Sequence, residues 1–138
     1  MNELNQPIQE YFNKRQEVVA VYLFGSHAVG KERGFSDVDI GVILHNESLP
    51  KVIALQNEYT VALGRLLRKD VHAVILNTAG ELLNKQVFAK GQCVCVNDSK
   101  RLRLFKMTRY AMIADFDYYL KMTQNGFRRK MMEEHPDG

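Results

Sequence analysis

Two short motifs, Gly25-Ser26 and Asp37-Val38-Asp39, carry the residue types most suited to chemistry, and ten residues separate them. A glycine at the end of a strand permits a tight turn and a close approach of the backbone to a ligand. If Ser26 begins a short helix, its hydroxyl and the free N–H groups of the first turn can hold phosphate oxygens. The first motif therefore predicts a phosphate-binding turn.

The second motif is suited to a divalent cation. Residues two apart on a strand point to the same side, so the Cα atoms of Asp37 and Asp39 should lie about 6.6 Å apart, with both carboxylates able to converge on one ion. Hard carboxylate oxygens suit Mg²⁺, whose coordination is usually completed by water and by substrate phosphates. Either motif alone is common on protein surfaces, but the two in this order on predicted strands indicate a nucleotide–metal site.

Two predicted strands position these motifs. Residues 18–24 form a continuous apolar run that ends at Gly25, as in a strand covered on both faces, and residues 36–44 alternate in character. Four apolar side chains of the second strand share the face opposite the aspartates: Val38, Ile40, Val42 and Leu44. The alternation predicts that the acidic face borders a cleft while the opposite face packs in the core.

The rest of the chain alternates helical and strand patterns. Helices are predicted over 3–15, over about 49–68 with Ser48 as N-cap, and from the capping-box spacing of Thr78 and Glu81 to near Gly91. Strands are predicted over 70–76 and 92–96, and a cap signal at Asn97-Asp98-Ser99 precedes a long amphipathic helix over about 99–131. The pattern predicts an α/β (α+β) fold in which helices flank a small mixed sheet.

Length and composition exclude several classes of protein. The chain has 138 residues, of which 46% are hydrophobic and 25% charged, so it suits one domain over 1–138 and neither a disordered nor a fibrous protein. The longest uncharged stretch, 18–30, is too short to span a bilayer, and the polar amino terminus is atypical of a signal peptide, so we expect a cytoplasmic protein. Residues 101–130 hold 8 basic and 2 acidic side chains, which suits an acidic partner or a solvated helix surface.

Most of the chain resembles a known family. The resemblance rests on the segments YLFGSHAVGKERGFSDVDIGVIL and VHAVILNTAGELLNKQVFAKGQCVCVND and on a basic helix ending in ADFDYYL. Gly25-Ser26, ten residues, then Asp37 and Asp39 is similar to the signature of nucleotidyltransferases with the polymerase-β palm fold. The short chain and its second half resemble minimal members of that superfamily, the MntA-type antitoxins that are paired with HEPN-domain toxins.

The resemblance implies a reaction and a partner. Asp37 and Asp39 would hold Mg²⁺ on the triphosphate of ATP, and Gly25 and Ser26 would anchor its β/γ end. The acceptor would be a tyrosine of a cognate HEPN RNase toxin, which would receive one or more AMP units and be silenced. The resemblance also implies that the two proteins form a protein–protein complex, a hetero-oligomer. The resemblance implies neither direct DNA binding nor a membrane.

One position departs from the family pattern. Family members usually carry a third metal-binding carboxylate on the strand predicted here at 70–76, but a gap-free match places His72 there. Imidazole is a poor ligand for Mg²⁺ and a reasonable base near neutral pH. Asp70 lies one strand period earlier on the same face, so a register slip of two would restore three acids. We expect Asp70 to contribute to the metal site, with His72 as the alternative.

Two other functions stay open at this level. In the first, the site is degenerate and the antitoxin neutralises its toxin by binding alone, a possibility raised by His72. In the second, the chain transfers nucleotides to a small molecule or to RNA. Relatives of that second kind generally carry an additional substrate domain, for which 138 residues leave no room unless a partner subunit supplies it.

Overall fold

The computed structural model describes residues 3–25 and 37–134 and confirms the predicted mixed fold. The helices are α1 (Asn5–Asn13), α2 (Val52–Leu67), α3 (Glu81–Lys90) and α4 (Ser99–Glu134), and a 3₁₀ helix (Asn46–Lys51) precedes α2. The strands are β1 (Val18–Phe24), β2 (Val38–Leu44), β3 (Val71–Ile75) and β4 (Gln92–Val96). They form one sheet in the order β3-β2-β1-β4, in which β1 is antiparallel to β2 and β4, and β2 is parallel to β3.

The sheet separates two hydrophobic cores, where the alternation in β2 predicted a core on one face only. The first core contains the four apolar β2 residues of one face together with side chains of α1 and α2, including Phe12, Tyr59 and Leu63. The second core contains Ile43 of the opposite face with Leu76 and Val87, and side chains of α4 pack against it. The aspartates of β2 therefore belong to the face that α3 and α4 cover further along the strand.

Two predicted helix caps are wrong. Ser48 lies inside the 3₁₀ helix, where its N–H donates to the carbonyl of His45 at 3.0 Å, and α2 begins only at Val52 after Pro50. The hydroxyl of Thr78 donates to the carbonyl of Ile75 at 3.3 Å instead of capping α3. Ser48 thus lies in the helical turn before α2, and Thr78 lies in the turn before α3. Turns of this kind compete with helix capping for Ser and Thr side chains.

The start of α4 follows its cap signal. The carboxylate of Asp98 accepts a hydrogen bond from the backbone N–H of Arg101 at 3.0 Å, which satisfies one of the unpaired donors of the first turn. Leu102 and Phe105 then pack on the second core. Beyond Asp117, which pairs with Lys85 of α3 at 3.0 Å, the side chains from residue 118 to 126 are all exposed. The core therefore covers only the first half of the predicted apolar face.

Within residues 3–25 and 37–134, no helix combines the length and the apolar character that crossing a bilayer requires.

Candidate active site

The candidate site lies at the start of β2, where three strands bring their chemistry-bearing residues to one level. Asp39 is paired with Phe24, the last residue of β1, and with His72 of β3. Side chains of paired residues in neighbouring strands point to the same face of a sheet, so Asp39 and His72 are neighbours on that face. Nδ1 of His72 lies 3.8 Å from Oδ1 of Asp39.

Gly25 forms the wall beside Asp39. Its φ angle is +74°, a left-handed conformation that side chains with a Cβ rarely adopt. A Cβ at this position would collide with Oδ2 of Asp39 and lie 3.3 Å from its Cγ. The backbone of Gly25 therefore closely approaches Asp39, whose carboxylate occupies the space that a side chain would fill. The role of Gly25 in holding phosphate stays a prediction.

The remaining predicted site residues have different places. Asp37 is exposed and immediately precedes β2, on the same side as Asp39. Asp70 is also exposed and immediately precedes β3, where its carbonyl accepts a hydrogen bond from the N–H of Val38 at 2.8 Å. This bond sets Asp70 level with Asp37 and one strand period from the level of Asp39. Ser26 lies outside the described residues.

The donor set fits a divalent cation that a nucleotide helps to hold. Among residues 3–25 and 37–134, no three His, Cys, Asp or Glu side chains already form a metal-binding group. Asp39 and His72 are nevertheless adjacent, with 30% and 67% of their side-chain surfaces exposed, and Asp37 follows the same strand face. Two carboxylates on one face, open to solvent and beside a glycine cradle, can take a cation whose other ligands are water and phosphate oxygens.

The opposite end of β2 holds a second group of polar residues. A cavity of about 420 Å³ lies there, lined in part by His45, Asn77, Arg101 and Arg109. The side chain of Asn77 donates to the carbonyl of Leu44 and accepts from its N–H, each at 2.9 Å, which extends the sheet by one side-chain bridge. Sequence reasoning missed this bridge, for which an asparagine directly after a strand was the available signal.

Polar groups at this second end are already bound to one another. Nε2 of His45 lies 3.6 Å from Oδ2 of Asp98, and Asp98 caps α4 through its other oxygen. The guanidinium of Arg109 donates to the carbonyl of Asn77 and lies over the ring of Phe105, 5.0 Å from its centroid. These contacts join the end of β2 to α4, so the group acts in the packing of the helix.

The fold and the site together define the class of protein. The Gly25 turn at the end of β1 lies against Asp39 of β2, and Asp37 immediately precedes that strand. The family model described as polymerase beta, nucleotidyltransferase matches residues 6–100, a range that includes the glycine turn, both aspartates and β3. The chain belongs to the polymerase beta nucleotidyltransferase family.

Solved structures of similar fold cover almost the whole chain. A chain of a toxin–antitoxin crystal structure with AMP-PNP is 22% identical, with a TM-score of 0.66 over 93% of this chain and 98% of that one. A chain from the structure of the tri-AMPylated Shewanella oneidensis HEPN toxin in complex with MNT antitoxin is 22% identical, with a TM-score of 0.59 over 96% and 99%. A chain of the toxin–antitoxin MntA-HepT is 20% identical, with a TM-score of 0.61 over 96% and 99%.

The structural matches extend into α4, whereas the family model ends at residue 100. At such identities they establish the fold of the chain. No curated protein matches the sequence.

Proposed function

We propose that this protein is the antitoxin of a toxin–antitoxin pair and that it transfers AMP from ATP to a tyrosine hydroxyl of a cognate HEPN RNase toxin. The observation that carries the proposal is the contact of the Asp39 carboxylate with the Gly25 turn in a nucleotidyltransferase fold. The likeness over nearly the full chain to structures described as toxin–antitoxin complexes, one with AMP-PNP and one with an AMPylated toxin, supports the choice of acceptor.

In this proposal each end of the triphosphate has its own residues. Asp37 and Asp39 hold a divalent cation, expected to be Mg²⁺, which neutralises charge on the phosphates and on the leaving group when bound. Gly25 and Ser26 hold the β/γ end, since the left-handed turn at Gly25 leaves backbone groups open to phosphate oxygens. Asp70 is the expected third ligand of the cation.

The transfer is an in-line substitution at the α-phosphorus. The acceptor oxygen forms a new bond to that phosphorus, and the bond from the phosphorus to the oxygen that bridges to the β-phosphorus breaks. Pyrophosphate leaves with the bonding electrons, and the proton of the hydroxyl passes to solvent. Because the protein forms no covalent bond in this reaction, its contribution is the positioning of the two reactants and the stabilisation of charge.

We propose that α4 docks the toxin. Its first half carries exposed basic side chains at Arg101 and Arg103, and exposed apolar side chains at Leu104 and Met107. Tyr118, Tyr119 and Met122 on the second half are 66%, 71% and 56% exposed. A helix surface that mixes basic and large apolar residues is typical of protein interfaces. The proposal includes a hetero-oligomer in the cytoplasm, one domain over 1–138, and no direct contact with DNA or membrane.

A second candidate function is favoured by one observation. The position level with Asp39 on β3 is a histidine, and within the described chain no third carboxylate is gathered beside Asp39. An antitoxin with such a site could neutralise its toxin by contact alone. The two functions differ in whether the toxin leaves the complex modified.

The test is transfer of radiolabelled AMP. The full chain is incubated with α-labelled ATP, Mg²⁺ and the HEPN toxin encoded beside it, and the same mixture is prepared without toxin. We expect labelled toxin only when ATP, Mg²⁺ and the toxin are incubated together with the full chain, and we expect the label to be lost when EDTA is added. A toxin that stays unlabelled while its RNase activity is fully inhibited would overturn the transferase and support inhibition by contact.

A further inference from the structure

We propose that His72 is itself a metal ligand and that it shifts the preference of the site from Mg²⁺ toward Mn²⁺. The inference rests on the proposed function, because it takes the nucleotide–metal site as given and assigns its third protein ligand. The third ligand is then the imidazole nitrogen of His72 instead of the carboxylate of Asp70, and this change of donor alters which ion the site prefers.

The pairing of β2 with β3 carries the assignment. Five successive pairs, from Val38 with Val71 to Val42 with Ile75, run without a shift, and they leave His72 beside Asp39. The bond from the N–H of Val38 to the carbonyl of Asp70 continues this ladder to the start of both strands. A slip by two residues, which would bring Asp70 beside Asp39, would break this whole parallel ladder. Asp70 therefore stays level with Asp37, and His72 is the residue of β3 that stands beside Asp39.

The distance between the two side chains suits a shared ion. Two neighbouring ligands of an octahedral ion stand about 3 Å apart, given metal–ligand distances of about 2.1 Å. Nδ1 of His72 and Oδ1 of Asp39 are 3.8 Å apart, so a small rotation of one side chain closes the gap. The imidazole is 67% exposed, so it has room to rotate on its solvent side.

The chemistry of the donors decides the ion. Mg²⁺ selects oxygen ligands and gives up its water reluctantly, so an imidazole adds little to its binding. Mn²⁺ takes the same carboxylate and phosphate oxygens, but unlike Mg²⁺ it belongs to the first-row transition-metal series, whose ions also bind nitrogen donors. A site with two aspartates and one histidine therefore favours Mn²⁺ more strongly than a site with three carboxylates does.

The experiment measures metal binding directly, without transfer. The full chain is labelled with ¹⁵N-histidine and loaded with MnCl₂ and AMP-PNP, so that nitrogens of the nucleotide do not contribute to a ¹⁵N signal. Pulsed EPR then detects ¹⁵N coupled to Mn²⁺, and competition with MgCl₂ gives the ratio of the two affinities. The variants are His72→Asp and Asp70→Asn, and His45→Gln serves as a matched control because His45 also stands beside an aspartate.

We expect a ¹⁵N coupling in the wild type, in Asp70→Asn and in His45→Gln, and its loss in His72→Asp. The preference for Mn²⁺ over Mg²⁺ should fall by about tenfold or more in His72→Asp, since even groups that only orient a ligand change metal affinity by such factors. The inference is overturned if the wild type shows no ¹⁵N coupling, or if Asp70→Asn lowers the Mn²⁺ preference while His72→Asp leaves it unchanged. If neither ion binds with AMP-PNP to any variant, the proposed function fails as well, so the two failures are distinguishable.

Discussion

The two ends of β2 carry the same pair of residue types for different purposes. At the start of the strand, His72 stands 3.8 Å from Asp39, and just beyond its end His45 stands 3.6 Å from Asp98. The imidazole of His72 is 67% exposed, whereas that of His45 is 22% exposed. Residue types and separation alone therefore do not distinguish an exposed His–Asp pair from one that is packed at the start of a helix.

The surroundings make the difference. Asp98 uses one oxygen to cap α4 and the other to face His45, so its carboxylate serves the attachment of the helix. Asp39 lies against a glycine in a left-handed conformation, at an end of the sheet that is open to solvent. A carboxylate beside a glycine turn at an open strand end is suited to a ligand, while one that caps a helix contributes to stability.

The largest expected effect is on AMP transfer, which should depend on Asp37 and Asp39 at the start of β2 and not on Asp98 at the other end. Asp37→Asn or Asp39→Asn should lower transfer of AMP to the toxin by about 100-fold or more, because the neutral amide no longer holds the cation that stabilises charge. The melting temperature without metal should hold or rise, since repulsion between the two carboxylates is removed. Asp98→Asn is the matched control and should keep wild-type transfer. Near wild-type transfer by either variant of the first pair would contradict the metal site.

The next effect concerns the turn beside Asp39. Wild-type protein with Mg·ATP at 100 times its Kd should gain about 2.7 kcal/mol in unfolding free energy, measured by thermal shift. Gly25→Val should abolish this gain and lower basal stability by about 1–3 kcal/mol, because the new side chain needs a left-handed backbone and displaces the Asp39 carboxylate.

The control for the turn is Gly80→Ala, where an added Cβ meets nothing within 4 Å. This variant should keep the whole ATP-dependent shift. An unchanged thermal shift in Gly25→Val would show that the turn is not part of the nucleotide site, and that the start of β2 does not bind ATP through Gly25.

A smaller effect tests whether the helix that starts near His45 binds the toxin. Reversing Arg101, Arg103 and Lys106 to Glu should slow association with the toxin by about tenfold and reduce its salt dependence, since charge complementarity acts mainly on the association rate. Stopped-flow association at two ionic strengths measures both. Binding of Mg·ATP should be retained, because none of the three residues belongs to the start of β2.

The matched control reverses three exposed basic residues outside α4: Lys14, Lys51 and Arg65. Their reversal should leave association at the wild-type rate. If the α4 variant loses both association and Mg·ATP binding, the helix packs over the nucleotide, and equal rates in the two triple variants would show that the toxin binds elsewhere.

The smallest effect is one of stability at the His45 end. Asp98→Ala should lower the unfolding free energy by about 1 kcal/mol through loss of the helix cap, as measured by urea denaturation. Transfer of AMP should be unchanged, which is the reverse of the result expected for Asp39→Asn. A loss of transfer greater than the loss of folded protein would show that the two ends of β2 are coupled.

The sequence by itself determined the strands, the two faces of β2 and the place of the main motif. Apolar alternation is a local property, so the positions of Asp39 and Gly25 relative to their own strands could be predicted, whereas Asp37, predicted inside its strand, immediately precedes it. The caps predicted at Ser48 and Thr78 were wrong. The N–H of Ser48 bonds to the carbonyl of His45 and the hydroxyl of Thr78 bonds to the carbonyl of Ile75, so each residue belongs to a turn that precedes its helix. The exposure of the second half of α4 also depends on where the core ends.

Only the tertiary structure decided which residue of β3 stands beside Asp39. Asp70 and His72 are two positions apart, so both lie on the same face of the strand, and a slip by two buries the same apolar side chains. The hydrophobic pattern is therefore equally satisfied by either register. The hydrogen bonds between β2 and β3 show which register the fold adopts, and they join segments that are distant in the chain, so His72 is the neighbour of Asp39.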